Sequence, residues 1–90
     1  MSGFKKHLEE QLKDPEFAAE WERQRPEREC VKAIIAARME QNLTQKDLAE
    51  KTGIRQSNIS RIENGNCSPT IATLQQIANG VGKTLHIEFR

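Results

Sequence analysis

The apolar residues keep a helical period for most of the chain and then abandon it. Phe4, Leu8 and Leu12 recur every four positions and form one helical stripe. Asp14 followed by Pro15 fits an N-cap and first helical residue, so a second helix is expected there, with Phe17 and Trp21 one turn apart on one face. Pro26 interrupts, and a third helix is expected to start near Glu27. Val31, Ile34, Ile35 and Met39 form its apolar side, and it should end around Gln41 and Asn42. Thr44 with Asp47 three residues on reads as a capping box, although Asp reaches less well than Glu. The short helix it opens turns Leu48 and Ala49 inward and stops at Gly53. After Ile54, another helix opens near Ser57, buries Ile59 and Ile62, and stops at Asn64-Gly65, where glycine suits a left-handed cap. Ser68-Pro69-Thr70 starts the next, which carries Ile71, Leu74, Ile77, Ala78 and Val81 and is broken by Gly80 and Gly82.

From Thr84 to Phe89 the period drops to two, with Leu85, Ile87 and Phe89 on one face. This reads as a strand, and no other segment does. A lone strand at a chain end either frays or pairs with another chain. Antiparallel pairing of 84–89 from two copies would create a dimer; addition to the sheet of another protein is the alternative, and the homodimer is preferred.

Composition narrows the class. Ninety residues make one domain, or one domain with an arm, and 36% hydrophobic with 30% charged residues suits a water-soluble chain. No run approaches the roughly 20 apolar residues of a membrane span, and no apolar segment follows Lys5 and Lys6 as a secretory signal requires. Cys30 and Cys67 stand too far apart for a zinc-type pair and read as free thiols of a reducing cytoplasm. The net charge of +1 conceals a division. Residues 1–30 hold six Lys/Arg against eight Asp/Glu, and the remainder holds eight against five. A mildly basic module therefore carries a mildly acidic arm. His7 and His86 read as surface histidines. No nucleophile–base pair, phosphate loop or metal cluster is present, so an enzyme is disfavoured and no cofactor or metal is expected.

The informative segment is the pair of short helices, 44–52 and about 56–64, joined at Gly53: a helix-turn-helix. Ala49 is small where the helices must cross closely, Gly53 takes the turn, Ile54 plugs the core and Ile59 anchors the second helix. TQKDLAEKTGIRQSNISRIENG (44–65) with SPTIATLQQIA (68–78) resembles the XRE/Cro–cI family of bacterial and phage DNA-binding domains over roughly residues 28–82. That resemblance implies an all-α, five-helix domain. The arm reading DPEFAAEWERQRPE and the terminal strand extend the resemblance to HigA-type antitoxins, which neutralise a RelE-like, ribosome-dependent mRNA-cleaving toxin and repress their own operon. The implied organisation is an N-terminal helical arm (1–27), a helix-turn-helix domain (28–83) and a dimerisation strand (84–90).

The resemblance also assigns roles. Gln45 would contact a phosphate and brace the recognition helix, with the helix N-terminus at Thr44 facing phosphate. Gln56, Ser57 and Arg61 would meet base edges, while Lys46, Arg55, Asn58 and Ser60 would lie near the DNA backbone. Glutamine suits adenine N6/N7 and arginine suits guanine O6/N7. Arg38 and Glu63 would form a structural ion pair. Phe17 and Trp21 have two readings, packing onto the arm's own domain or anchoring a toxin, and acidity of the arm leans toward the second because RNA-cleaving toxins are basic. The function implied is an antitoxin, with operator DNA, a RelE/HigB-like toxin and a second copy of itself as partners. A stand-alone regulator is the alternative, and an RNA-associated adaptor a remote third.

Overall fold

The computed structural model describes residues 2–90 and contains six helices. They are α1 (Ser2–Gln11), α2 (Pro15–Arg23), α3 (Arg25–Glu40), α4 (Gln45–Thr52), α5 (Gln56–Glu63) and α6 (Ile71–Gly80). Local chemistry accounts for the boundaries. The Asp14 carboxylate accepts the Glu16 N–H at 3.0 Å at the head of α2, and Pro15 sits in its first turn. Thr70 caps α6 by accepting the Thr73 N–H at 3.1 Å. Four turns need a left-handed backbone: Asn42 (φ 57°) after α3, Gly53 (φ 76°) after α4, Gly65 (φ 77°) after α5 and Gly82 (φ 68°) after α6. Asn tolerates that region better than other residues with a Cβ.

Ile34, Leu48, Ile59, Ile62, Ile77 and Val81 form the core, with Cys30, Ala37, Leu43, Ala49, Ile54 and Leu74 packed around it. α4 packs on α5 and α6, and α3 packs on α5, so the recognition pair is held from behind by the two flanking helices. Side chains close the ring: Gln41 at the end of α3 donates its amide to the Val81 carbonyl at the end of α6.

Several expectations need correcting. The domain holds four helices rather than five. Gly82 (φ 68°) turns the chain out of α6, and the alternating residues beyond it cannot present a helical stripe. Residues 84–90 form no strand, because a single chain offers 84–89 no second backbone to bond. The expected Leu85, Ile87 and Phe89 face is therefore unpaired here, with Leu85 half-buried and the other two exposed. α3 begins at Arg25 rather than near Glu27, so Pro26 falls in its first turn, where a missing N–H costs nothing. Met39 and Ile71, expected on core stripes, are exposed.

Candidate nucleic-acid interface

The interface is built on the α4 cap. Thr44 Oγ1 accepts the Asp47 N–H at 3.0 Å, and the Thr44 N–H donates to Asp47 Oδ2 at 3.0 Å. Both halves of the capping box form, so aspartate reaches despite its short side chain. Hydrogen bonds from the Thr44 backbone, then its side chain, hold the Asp47 carboxyl below its usual range. At the other end the Gly53 N–H closes on the Ala49 carbonyl at 2.9 Å, and Thr52 Oγ1 donates to the Leu48 carbonyl at 2.7 Å while accepting the Ile54 N–H at 3.2 Å. The turn is thereby fixed from both sides.

α5 emerges with two faces. Ile59 and Ile62 are buried against the core. With about 100° between successive residues, Ser57, Ser60 and Arg61 fall opposite them, and Gln56 and Asn58 flank that outward face. Gln56, Ser57, Asn58 and Arg61 are exposed, and Ser60 is half-buried. Arg55 occupies the N-cap position without a side-chain cap bond and is exposed. Thr44 and Lys46 are exposed at the start of α4, while Gln45 is half-buried. The fold thus brings the expected DNA-facing residues together on α5 and the adjoining end of α4.

Behind this surface sits a polar hub. Arg38 Nε donates to Glu63 Oε2 and Arg38 Nη2 to Glu63 Oε1, both at 2.9 Å, and Nη1 donates to the Leu43 carbonyl at 2.8 Å. The side chains are only 15% and 4% exposed, so this is a nearly dry bidentate pair. Gln45 Nε2 also donates to Glu63 Oε1, at 3.1 Å. One carboxylate therefore joins α3, the first residue of α4 and the last residue of α5. Gln45 has a second amide N–H and a carbonyl oxygen beyond that bond.

At the arm, Phe17 and Trp21 stack with ring centroids 6.2 Å apart and planes at 18°. Arg28, which sequence reasoning passed over, lies 3.5 Å above the Trp21 ring centre and donates from Nη1 to the Trp21 carbonyl at 2.7 Å. One Trp21 contact is thus made within the chain itself. The only signal was the i, i+7 spacing across an almost unbroken α2–α3 pair, which is weak without knowing that Gln24 alone separates them. Ser68 Oγ to Glu27 Oε1 at 2.6 Å similarly ties the α5–α6 loop to the head of α3.

Gly80, expected to break the helix, is the last residue of α6. A Cβ built on it would lie 2.5 Å from Thr52 Cγ2. Glycine there lets α6 approach the end of α4 and so helps to set the angle of the recognition pair.

The helix-turn-helix family model matches residues 34–87. An uncharacterized HTH-type transcriptional regulator of Haemophilus influenzae is 37% identical over 57 residues, covering 63% of this chain and 58% of that protein. Antitoxin HigA1 of Mycobacterium tuberculosis is 32% identical over 74 residues, covering 82% of this chain and 50% of that protein. The chain spans about half the length of the curated relatives it matches. No solved structure matches it. Among the described residues no helix is long and apolar enough to cross a membrane. With its capped α4, left-handed turn and outward-facing α5, and with a family model matching more than half its length, the chain belongs to the XRE-type helix-turn-helix family of non-enzymatic DNA-binding regulators.

Proposed function

We propose that this chain is the antitoxin of a type II toxin–antitoxin pair. It binds and neutralises a RelE/HigB-like mRNA-cleaving toxin and represses its own operon by sequence-specific DNA binding. The observation that carries this reading is the reach of the similarity to antitoxin HigA1. A match of 74 residues leaves only sixteen of 90 outside it, so it takes in residues 17–74 wherever it begins, and Phe17 and Trp21 with them. Similarity confined to DNA reading would have no reason to include the arm.

In this reading, residues 28–83 are the DNA-binding domain, and Gln56, Ser57 and Arg61 on the outward face of α5 read base edges. Lys46, Arg55, Asn58 and Ser60 approach the backbone, and Gln45 grips a phosphate with the amide N–H not committed to Glu63. The arm, residues 1–27, presents the Phe17/Trp21 stack and the α2 acids to a basic toxin. The tail, 84–90, pairs with a second copy, so that two recognition helices face one side of DNA about 34 Å apart. The runner-up is a stand-alone regulator; it draws on the Arg28 contact, which gives Trp21 a purely internal role.

Affinity capture of the tagged chain from its native cell, with and without Phe17→Glu, tests the assignment. The expected result is a small basic protein that cleaves mRNA, is silenced by stoichiometric addition of the chain, and is lost with the substitution while operator binding persists. Capture of DNA and the chain alone would establish the stand-alone regulator. On the DNA side, Arg61→Ala should lower operator affinity by ~1–3 kcal/mol and relax preference at one base pair. Gel-shift titration against operator and scrambled duplexes reads it, and equal loss on both would move Arg61 to the backbone.

A further inference from the structure

An open groove of about 560 Å³ runs between α3 and α6, with Ala33, Ala37, Leu74 and Ile77 among its apolar lining and the chain's own Leu85 and Ile87 at its edge. Beside it, Ile87 is 58% exposed and Phe89 is 100% exposed. The groove lacks a filler and the tail lacks a cover, but Phe89 at the chain end leaves its own groove unfilled.

We infer that a second copy fills it. The two tails pair antiparallel about Ile87, and Phe89 of each copy seats in the α3–α6 groove of the other. This rests on the strand pairing of the proposed function and adds its register and the seat. Residues opposite one another in a sheet share a face, so only registers that match like parity are open. Centring on Ile87 places Ile87 opposite Ile87 and Leu85 opposite Phe89, so every apolar residue of 84–89 meets an apolar partner. The same register places His86 opposite Glu88 twice, a carboxylate facing a group that can donate to it or pair with its charge. Centring on His86 sets two histidines together and leaves Phe89 against Lys83. Centring on Glu88 opposes two carboxylates and sets His86 against Arg90. The first leaves Phe89 against a charged side chain, and the second opposes like charges, which is destabilising. Opposed Cβ atoms lie about 5 Å apart, and Leu85 already lines the groove, so the second copy's Phe89 arrives at the groove's edge.

The experiment combines cross-linking with dimer affinity. In a Cys30→Ala/Cys67→Ser background, Ile87→Cys, His86→Cys and Glu88→Cys are oxidised and run on non-reducing gels, with light scattering on each reduced protein. Opposed residues in an antiparallel pair have Cα atoms about 4.5–5.5 Å apart, within disulfide range. The expected result is a covalent dimer for Ile87→Cys far ahead of its neighbours, and Phe89→Ala and Ala33→Glu each weakening the dimer roughly 10–100-fold. Phe89 is wholly exposed in the single chain, so its truncation leaves the fold intact. A dimer that cross-links best at 86 or 88 keeps strand pairing and overturns the register. Cross-linking at 87 with unchanged affinity in both groove variants overturns the seat. A dimer that links at none of the three, or a monomer at all concentrations, overturns strand pairing itself and with it this inference, leaving the tail for a toxin's sheet.

Discussion

In the body formed by α3 to α6, Leu48, Ile59 and Val81 are sealed at 0%, 1% and 2% exposure, whereas at the chain ends Phe4 and Phe89 leave 70% and 100% of their surface open. The body buries branched aliphatic side chains that a single copy brings together by itself. All four aromatic residues of the chain, Phe4, Phe17, Trp21 and Phe89, lie outside that body, and among the described residues the Phe17/Trp21 pair is the one that finds an internal partner, in Arg28. Burial that a chain completes alone stabilises its fold. Apolar surface it leaves open is available to association. Substitutions should therefore separate the two regions, with effects on stability concentrated in the body and effects on assembly at the ends.

The largest effect is expected where the body is tied together. Glu63→Ala strands Arg38 and releases Gln45, and should cost about 3 kcal/mol, read as a lowered urea midpoint. A loss below about 1 kcal/mol would mean that water screens the pair as it does a surface one. Next is Gly80→Ala, expected to destabilise by ~1–3 kcal/mol. Its new methyl group meets Thr52, whose hydroxyl is fixed on the Leu48 carbonyl and cannot swing away freely. Neutral behaviour in thermal unfolding would show that α6 slides at no cost and that the body does not concentrate the stability effects as expected. At the junction, Arg28→Ala should cost no more than ~1 kcal/mol yet change the emission of Trp21, the molecule's one tryptophan. A full loss of the body's cooperative melt would merge the two regions into one. The smallest effect is on pH dependence. Folding holds the Asp47 carboxyl below its ordinary range, so the stability it contributes is present above about pH 4 and is lost as pH falls through its folded pKa. Asp47→Asn should flatten that acid limb of the stability curve.

What could be read from residues alone follows the same division. Thr44 and Asp47, Gly53, Ile59 and Ile62, and Asn64-Gly65 each act through neighbours within a few positions, and each stands where its spacing places it. The pairing of Arg38 with Glu63 rests on the family resemblance, since a sequence separation of 25 carries no local signal. The Gly80–Thr52 approach was invisible because a glycine near a helix end has a sufficient local explanation already. Met39 and Ile71 were misplaced because helical spacing fixes a stripe but not its width, and both lie at helix ends where the neighbouring helix has turned away. The tail's alternation was plain, but a strand is a property of two backbones, and one sequence describes one of them.

The Glu63 hub has a mechanical meaning. Because the same carboxylate holds Arg38, Gln45 and the end of α5, the head of α4 and the whole of α5 move as one stamp. On the proposed DNA-reading role, such a stamp would have little freedom to rock one element toward a mismatched base while the other keeps its grip, so a poor fit would be felt over the entire footprint. If two copies bind one operator as proposed, compliance toward slightly different half-site spacing would have to come from the joint between two stamps, and residues 84–90 are where the proposed pairing puts that joint.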